Sequence, residues 1–504
     1  MSRGENYPVI VGVGQFTNHP GTLEETLEPV EMMERVARAA EADAGGSGLL
    51  EKADSVQVVN IMSWQYADAP AALAQRLGAK PAHTVYPAVG GETPQRLANE
   101  TAQAIVDGRI RVALLAGAEA LESRRLARKL GAHLPWPERA TPQRIDGDNR
   151  PGFSEIEARH GATMPTRVYP LFENAIRASL DESIDQHQRR LGELCSRFAG
   201  VAARNPYAWF PIARTPEEIA TVRADNRMVG FPYPKLMNAI IETDQAAAII
   251  MTGSQTARDL GIPEDRWVYL HGCGDATDKW FVSERVDYHS SPAISAATHR
   301  ALGLASIGVD DVAMFDLYSC FPSAVQLGLD ALGLSPDDPR PLTVTGGLPY
   351  AGGPGNNYVM HSIATTVQRL REAPGEYGLV TGLGWFATKH SAGVYSARPP
   401  AGAWRRTDPA VDQREVDAMD SPPFAEQAEG AARVETYTVI FNREGEPEQG
   451  IVIGRLDDGS RARFFANTPP DRDLMLAMTR EEFVGRRGRA SHDAATGRNV
   501  FEAR

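Results

Sequence analysis

Cysteine is scarce in this sequence. Three residues of 504, Cys195, Cys273 and Cys320, lie far apart with no CxxC pair, which excludes a disulfide framework and a cysteine-ligated zinc site. Long apolar runs are missing as well. No segment approaches about 18 uncharged hydrophobic residues, so no membrane span is expected. Basic charge is in short supply, with 52 Lys and Arg against 65 Asp and Glu and a net charge of -13. A surface of that sign repels phosphate backbones and excludes general nucleic-acid binding. Met1 to Asn6 run straight into the apolar Val9-Ile10-Val11-Gly12-Val13 with no signal-peptide h-region, so a cytoplasmic protein is expected. No solenoid-type repeat is present, and no metal site is expected.

What the chain does contain is alternation. Hydrophobic residues make up 42%, enough for folded cores, and the length sets two or three domains as the expectation. Short β-branched runs alternate with longer amphipathic stretches, the pattern of α/β architecture with buried strands. The clearest predicted strands are Pro8–Val13, Ser55–Ile61, Arg111–Leu115, Ala246–Met251, Arg266–Leu270, Val312–Leu317 and Tyr377–Thr381. The clearest predicted helices are Pro29–Ala42, Thr93–Asp107, Ser254–Gly261, Ala293–Leu302, Ser323–Leu332 and Met360–Ala373. Between Ala120 and Glu242 the pattern gives way to Arg, Pro and aromatic residues, read as an insertion of helices and long loops. Residues 397–431 are rich in Pro, Ala, Asp and Glu and read as a polar linker. After it Val434–Phe441, Gln449–Arg455, Ser460–Ala466 and Glu482–Ala490 alternate in period two, the pattern of a small antiparallel β-barrel.

Ligands of α/β sheets gather at the carboxyl ends of strands, which singles out three strand-to-helix junctions. The first is Tyr86-Pro87-Ala88-Val89-Gly90-Gly91-Glu92-Thr93. The second is Phe315-Asp316-Leu317-Tyr318-Ser319-Cys320-Phe321-Pro322-Ser323. The third is the glycine-rich stretch from Gly346 to Asn357. With Tyr318-Ser319-Cys320-Phe321 and Gly352-Gly353-Pro354 in this order, and the segment Asp244–Met251 before them, the chain resembles the thiolases. The resemblance covers residues 8 to 396 and is to the sterol-carrier-type branch, within it the thiolase-like proteins of type 1. It implies an α/β fold, a thiolase-like layered αβαβα domain of two similar halves, here followed by a C-terminal antiparallel β-barrel. The expected division is an N-terminal half in residues 1–119 and 243–265, a helical loop insertion in 120–242 and a C-terminal half in 266–396. A linker in 397–431 and a β-barrel in 432–504 complete it.

The departures from the family pattern bear on function. Thiolases need a nucleophilic cysteine at a helix start, where dipole and base lower its pKa, and the matching residue is Val89. Valine has no lone pair with which to attack a thioester. The family's base position falls at Gly353, which cannot move a proton. The Asn or His that helps hold an oxyanion-hole water falls at Tyr318, and the late cysteine of Cys-x-Gly falls at Gly382. Orthodox thiolase activity is therefore not expected. Cys320 keeps the cysteine position of the His-Asp-Cys-Phe motif, and is either an acid/base thiol, if the helix starting near Ser323 lowers its pKa, or an inert buried small residue.

Further candidates surround these positions. His361 follows Gly353 by eight residues, two helical turns along one face, and is either a substitute base or a hydrogen-bonded core residue. Lys389 and His390 follow Gly382-Leu383-Gly384 and either line the pocket or form a solvated turn. Asn356 and Asn357, beside Gly352 and Gly353, either bind a carbonyl or hold the loop. Cys195 and Cys273 read as structural. Arg124, Arg125, Arg128, Arg144 and Arg150 are candidates to meet coenzyme A phosphates or to form surface ion pairs. Arg486, Arg487 and Arg489, with Phe464, Phe465 and Phe483, are too few to make the β unit a nucleic-acid platform. The resemblance implies coenzyme A or acyl-CoA as ligand, no tightly bound cofactor and a place in lipid metabolism, and either an oligomer or a chain whose extra C-terminal unit and altered loops cover the usual interface. Three functions follow as alternatives: a catalytically altered acyl-CoA-binding protein, an acyltransferase or thioesterase using Cys320, or a scaffold whose β unit docks a protein partner.

Overall fold

Runs of Val, Ile, Leu and Ala build the strands, and the small residues among them let helices come close. The computed structural model describes residues 6–46 and 48–504. The start of the chain, Met1–Glu5, where no signal segment is expected, lies outside the described residues. The strands of the first half are β1 (Pro8–Asn18), β2 (Ser55–Val58), β3 (His83–Val85) and β4 (Val112–Ala120). The insertion then contributes β5 (Met228–Gly230) and β6 (Tyr233–Pro234), and β7 (Asp244–Gly253) closes the half. The second half contains β8 (Val268–Thr277), β9 (Val312–Asp316), β10 (Tyr377–Gly384) and β11 (Lys389–Ser396).

These strands run in the order β3-β2-β4-β7-β1-β8-β11-β10-β9. Outward from the centre, β1 pairs antiparallel with β7, β7 antiparallel with β4, and β4 parallel with β2. Outward on the other side, β8 pairs antiparallel with β11, β11 antiparallel with β10, and β10 parallel with β9. The two halves thus repeat one topology, and they meet where Val9 faces Tyr269 across β1 and β8. The place of β3 is taken in the second half by the segment around Pro341, whose carbonyl accepts from Phe315 N–H at 2.8 Å.

The repeat is also chemical. A Cβ on Gly12 or Gly14 of β1 would lie 2.0 or 2.1 Å from the carbonyls of Ala40 and Val36 in helix Pro29–Asp43. A Cβ on Gly272 or Gly274 of β8 would lie 2.1 Å from the carbonyls of Ala301 and Ala297 in helix Pro292–Ala305. Only glycine lets helix backbone come so close to the first strand of each half. Helices Thr93–Val106 and Tyr358–Glu372 form the central layer, buried on most faces and packed against strands of both halves. Pro94 stands in the first turn of the former, where its missing N–H would have had no partner.

The chain continues into β12 (Gly430–Phe441), β13 (Pro447–Leu456), β14 (Arg463–Asn467), β15 (Arg487–Asp493) and β16 (Arg498–Ala503). Their order β13-β14-β16-β15-β12, with β12 pairing back to β13, closes a five-stranded barrel. Two expectations need correction here. The insertion is not purely helical, because Gly230 of β5 pairs with Ile440 of β12 and extends the barrel sheet. The polar stretch before the barrel is not a free linker. Arg406 Nη2 reaches Asp275 Oδ2 at 2.7 Å, and Thr277 N–H donates to Gln413 Oε1 at 2.7 Å beside helix Ala410–Asp417. Two of its charges are spent on the body of the second half, Arg406 on the end of β8 and Asp412 on Arg300 of helix Pro292–Ala305 at 2.5 Å.

The barrel is held to the body by buried charge. Arg463, 0% exposed, donates to Glu435 at 2.7 and 2.8 Å and to the carbonyls of Ser283 and Arg285 in the second half. Arg177 of the insertion pairs with Glu482, and His160 Nε2 accepts from Asn499 N–H at 2.9 Å. No helix among the described residues is long and apolar enough to cross a membrane.

Candidate functional site

The junction before helix Thr93–Val106 holds Val89, the residue that the sequence resemblance matches to the nucleophile. The Val89 carbonyl accepts from Lys389 Nζ at 2.6 Å, and the same ammonium lies 3.0 Å from Glu92 Oε1. A Cβ on either Gly90 or Gly384 would lie 2.0 Å from Glu92 Oε2. The carboxylate therefore occupies a slot between two strips of glycine backbone. Glu92 is not among the residues that the motifs single out, although Gly90-Gly91-Glu92 and Gly382-Leu383-Gly384 carry the signal for the slot. Gly90 N–H donates to Asn356 Oδ1 at 2.9 Å, and Asn356 Nδ2 donates to the Asn60 carbonyl at 3.0 Å.

The second junction leads from β9 into helix Pro322–Leu332. Tyr318 projects its hydroxyl to the spot where a Cβ on Gly91 would be, 2.2 Å away. Its phenol is buried, and burial pushes its pKa well above the usual value. A Cβ on Gly382 would lie 2.8 Å from Glu92 Cα, so a cysteine side chain there would collide with the first junction. The space among Tyr318, Gly382, Leu383 and His390 is about 10 Å³, room for one water at most. Cys320 is buried beside Tyr169, whose ring stacks on that of Phe321 with centroids 4.6 Å apart. Burial pushes its thiol up to about 12, against which the Tyr169 hydroxyl and nearby backbone N–H groups pull only weakly. Of the two readings of Cys320 this favours the inert one over a helix-lowered thiolate, because desolvation of a thiolate outweighs one helix dipole at this depth.

The third junction ties the halves together. Gly353 N–H donates to the Ile240 carbonyl at 2.7 Å, and Asn357 Nδ2 donates to the Gly117 carbonyl at 2.7 Å. Gly352 takes φ +102°, and a Cβ there would lie 2.1 Å from Gln245 Oε1. Asn356 and Asn357 thus serve as clasps between loop and first half. His361 turns to β1, with Nδ1 2.9 Å from Gln15 Oε1, and burial lowers its pKa to about 3.

Lys389 and His390 open β11 and are no turn. His390 is buried, which lowers its pKa to about 4. Both residues line a cleft of about 580 Å³, shared with Ala88 and Glu92 on one side and Asp278, Trp280 and Asp417 on the other. Of the five insertion arginines, Arg125 pairs with Glu122 at 2.5 Å, Arg144 with Asp146 at 2.5 Å, and Arg128 with Glu242 at 3.9 Å. Arg150 pairs with Asp148 at 2.8 Å and also covers the Trp280 ring at 3.9 Å. Arg124 lies half-buried beside Arg139. In the barrel, Phe464, Phe465 and Phe483 are core residues, so they offer no stacking face beside Arg486, Arg487 and Arg489. Among the described residues no group of three or more His, Cys, Asp and Glu is arranged to hold a metal ion.

The sequence profile of the thiolase-like protein type 1 additional C-terminal domain matches residues 412–495. The crystal structure of a monomeric SCP2-thiolase like protein type 1 from Mycobacterium smegmatis is 38% identical, with a TM-score of 0.84 and coverage of 98% of each chain. The chain belongs to the SCP2-thiolase-like proteins of type 1. More distant structures share the fold. The Ltp2-ChsH2(DUF35) aldolase has a TM-score of 0.60 at 16% identity, over 77% of this chain and 97% of that one. The acetyl-CoA acetyltransferase from Syntrophomonas wolfei has a TM-score of 0.58 at 14% identity, over 78% and 100%. No curated protein matches the sequence. In this SCP2-thiolase-like protein of type 1, the space a side chain would need at Gly382 is filled by Glu92, and that at Gly91 by the Tyr318 hydroxyl.

Proposed function

We propose that this chain is an acyl-CoA-binding protein of lipid metabolism, located in the cytoplasm, that forms no acyl-enzyme at the thiolase nucleophile position. Val89 carries this reading. Its side chain cannot attack a thioester, its carbonyl is engaged by Lys389 at 2.6 Å, and the matching base position, Gly353, has no side chain. Support for the ligand class comes from kinship with the thiolases, one of which acts on acetyl-CoA as an acetyltransferase with the same fold. Titration calorimetry with coenzyme A and acetyl-CoA tests the reading. Saturable binding without an acyl adduct in the intact mass is expected, and absence of saturable heat for both overturns it.

The rival enzyme, an acyltransferase or thioesterase using Cys320, meets an obstacle in the buried, protonated thiol. Turnover of any acyl-CoA that disappears in Cys320→Ala would restore it. A scaffold reading is favoured by one observation. A thiolase-fold neighbour, the Ltp2-ChsH2(DUF35) aldolase, is named for two components. A stoichiometric partner lost on deleting the exposed β15–β16 hairpin tip would support it, and its absence from native extracts would count against it.

A further inference from the structure

Residues 407–422 cross from the body to the barrel on few attachments. At one end Trp404 is buried and Arg406 Nη2 lies 2.7 Å from Asp275 Oδ2. At the other the Pro423 carbonyl accepts from Arg463 N–H at 2.7 Å. Between these anchors, among the described residues, no backbone group of the strap bonds to backbone of the body. Side chains alone hold its helix, Ala410–Asp417. Asp412 pairs with Arg300 at 2.5 Å, and Gln413 bonds both backbone groups of Thr277 at 2.7 and 2.8 Å. Lys279 Nζ donates to the Asp417 carbonyl at 2.8 Å.

Apolar packing adds little to that seam. Val416 is buried, but Val411 and Met419 are 36% and 42% exposed. The helix also stands between two open spaces. Gln413 lines the cleft of about 580 Å³ that reaches Ala88, Glu92 and Lys389 at the first junction. Val416 lines a second cleft, of about 440 Å³, against helix Pro292–Ala305. Protein interiors are close-packed, so an element with space on both flanks and a narrow polar seam beneath it opens at low cost. Prolines set its limits. Pro409 precedes the helix and Pro422-Pro423 follow it, so the helix cannot spread into either anchor.

We propose that residues 407–422 form a lid that swings on its two anchors and sets the width of the cleft beside the first junction. The lid is a property of the fold and goes beyond the acyl-CoA reading, since it does not depend on which molecule enters. The test uses the full chain. In hydrogen exchange read by mass spectrometry, amides of helix Ala410–Asp417 should exchange at least about a hundredfold faster than those of β8 beneath them. Access is read separately. Ala276→Cys places a thiol on the cleft wall beside Thr277, and a bulky fluorescent maleimide should label it at a rate limited by lid opening. Asp412→Asn and Gln413→Ala, added singly, each cut the seam and should speed that labelling by about tenfold. Arg414→Gln, an exposed change on the same helix with no seam contact, should leave the rate as it is. Helix amides as protected as those of β8, no acceleration in either seam variant, or equal acceleration in Arg414→Gln would overturn the proposal. Neither readout uses coenzyme A, so failure of the acyl-CoA reading would leave both untouched.

Discussion

Lys389 Nζ lies 3.0 Å from Glu92 Oε1, joining the final strand of the second half to the loop before the first half's central helix. Both side chains are largely buried, at 14% and 2% exposure, so the pair is a tie that cannot lose one member cheaply. Removing one partner of a buried pair leaves an uncompensated charge and typically costs about 3–5 kcal/mol. Lys389→Met should therefore lower the urea midpoint sharply, and Lys389→Met/Glu92→Gln should recover most of the loss. A single variant as stable as the double would show that the pair is solvated.

The three cysteines should be inert in the native protein. All are buried; burial holds Cys195 and Cys320 at about 12 and pushes Cys273 up as well. Iodoacetamide at pH 8 should add nothing to the folded chain and three carbamidomethyl groups in urea, as read by intact mass. A native adduct on Cys320 would revive its catalytic reading.

Restoring the family nucleophile should not restore the activity. Val89→Cys places a thiol at the junction, but Gly353 supplies no base, so acetoacetyl-CoA thiolysis should stay at background. Adding Gly353→His is expected to destabilise the loop, because even a Cβ there lies 3.1 Å from the Ile240 carbonyl and 3.2 Å from Leu348. Turnover assays and thermal unfolding on the single and double variants check both halves of this prediction.

Stability should fall as the solution is acidified below neutral pH. His361 titrates at about 3 and His160, His271 and His390 at about 4 in the folded chain, against 6.5 for an unperturbed histidine, all through burial. The unfolded chain takes up these protons first, so stability is whole above about 6.5 and lost as pH falls towards 4. Glu119, raised to about 7, and Asp244, raised to about 6, act in the opposite sense, losing their contribution as pH rises through those values. Four histidines outweigh two carboxylates. A tenfold difference in proton affinity between folded and unfolded chain is worth about 1.4 kcal/mol. His361→Gln, which keeps a donor for Gln15, should therefore reduce the loss between pH 7 and 5 by about 2 kcal/mol. An unchanged slope would mean that His361 is hydrated.

Barrel docking should depend on Arg463. It is fully buried and reaches carbonyls of Ser283, Arg285 and Val286 as well as Glu435. Arg463→Met should open residues 397–430 to limited proteolysis and split thermal unfolding into two transitions. One transition with wild-type protection would place the docking energy elsewhere.

The sequence by itself determined the α/β class, the barrel pattern after residue 432, and the exclusion of a cysteine nucleophile at Val89. These were legible because periodicity, residue chemistry and motif order are local properties. It missed β11, because Ser391, Ala392 and Gly393 look like a loop until packing buries them against β8 and β10. It ended the β8 strand early at Leu270, because Gly272 and Gly274 read as breakers and serve instead to admit a helix. Only the tertiary structure decided what surrounds the site. The protonation of Cys320, the turn of His361 towards Gln15, and the meeting of Glu92 with Lys389 all depend on residues hundreds of positions apart. Burial sets those pKa values and pairings, and burial is a property of the folded whole.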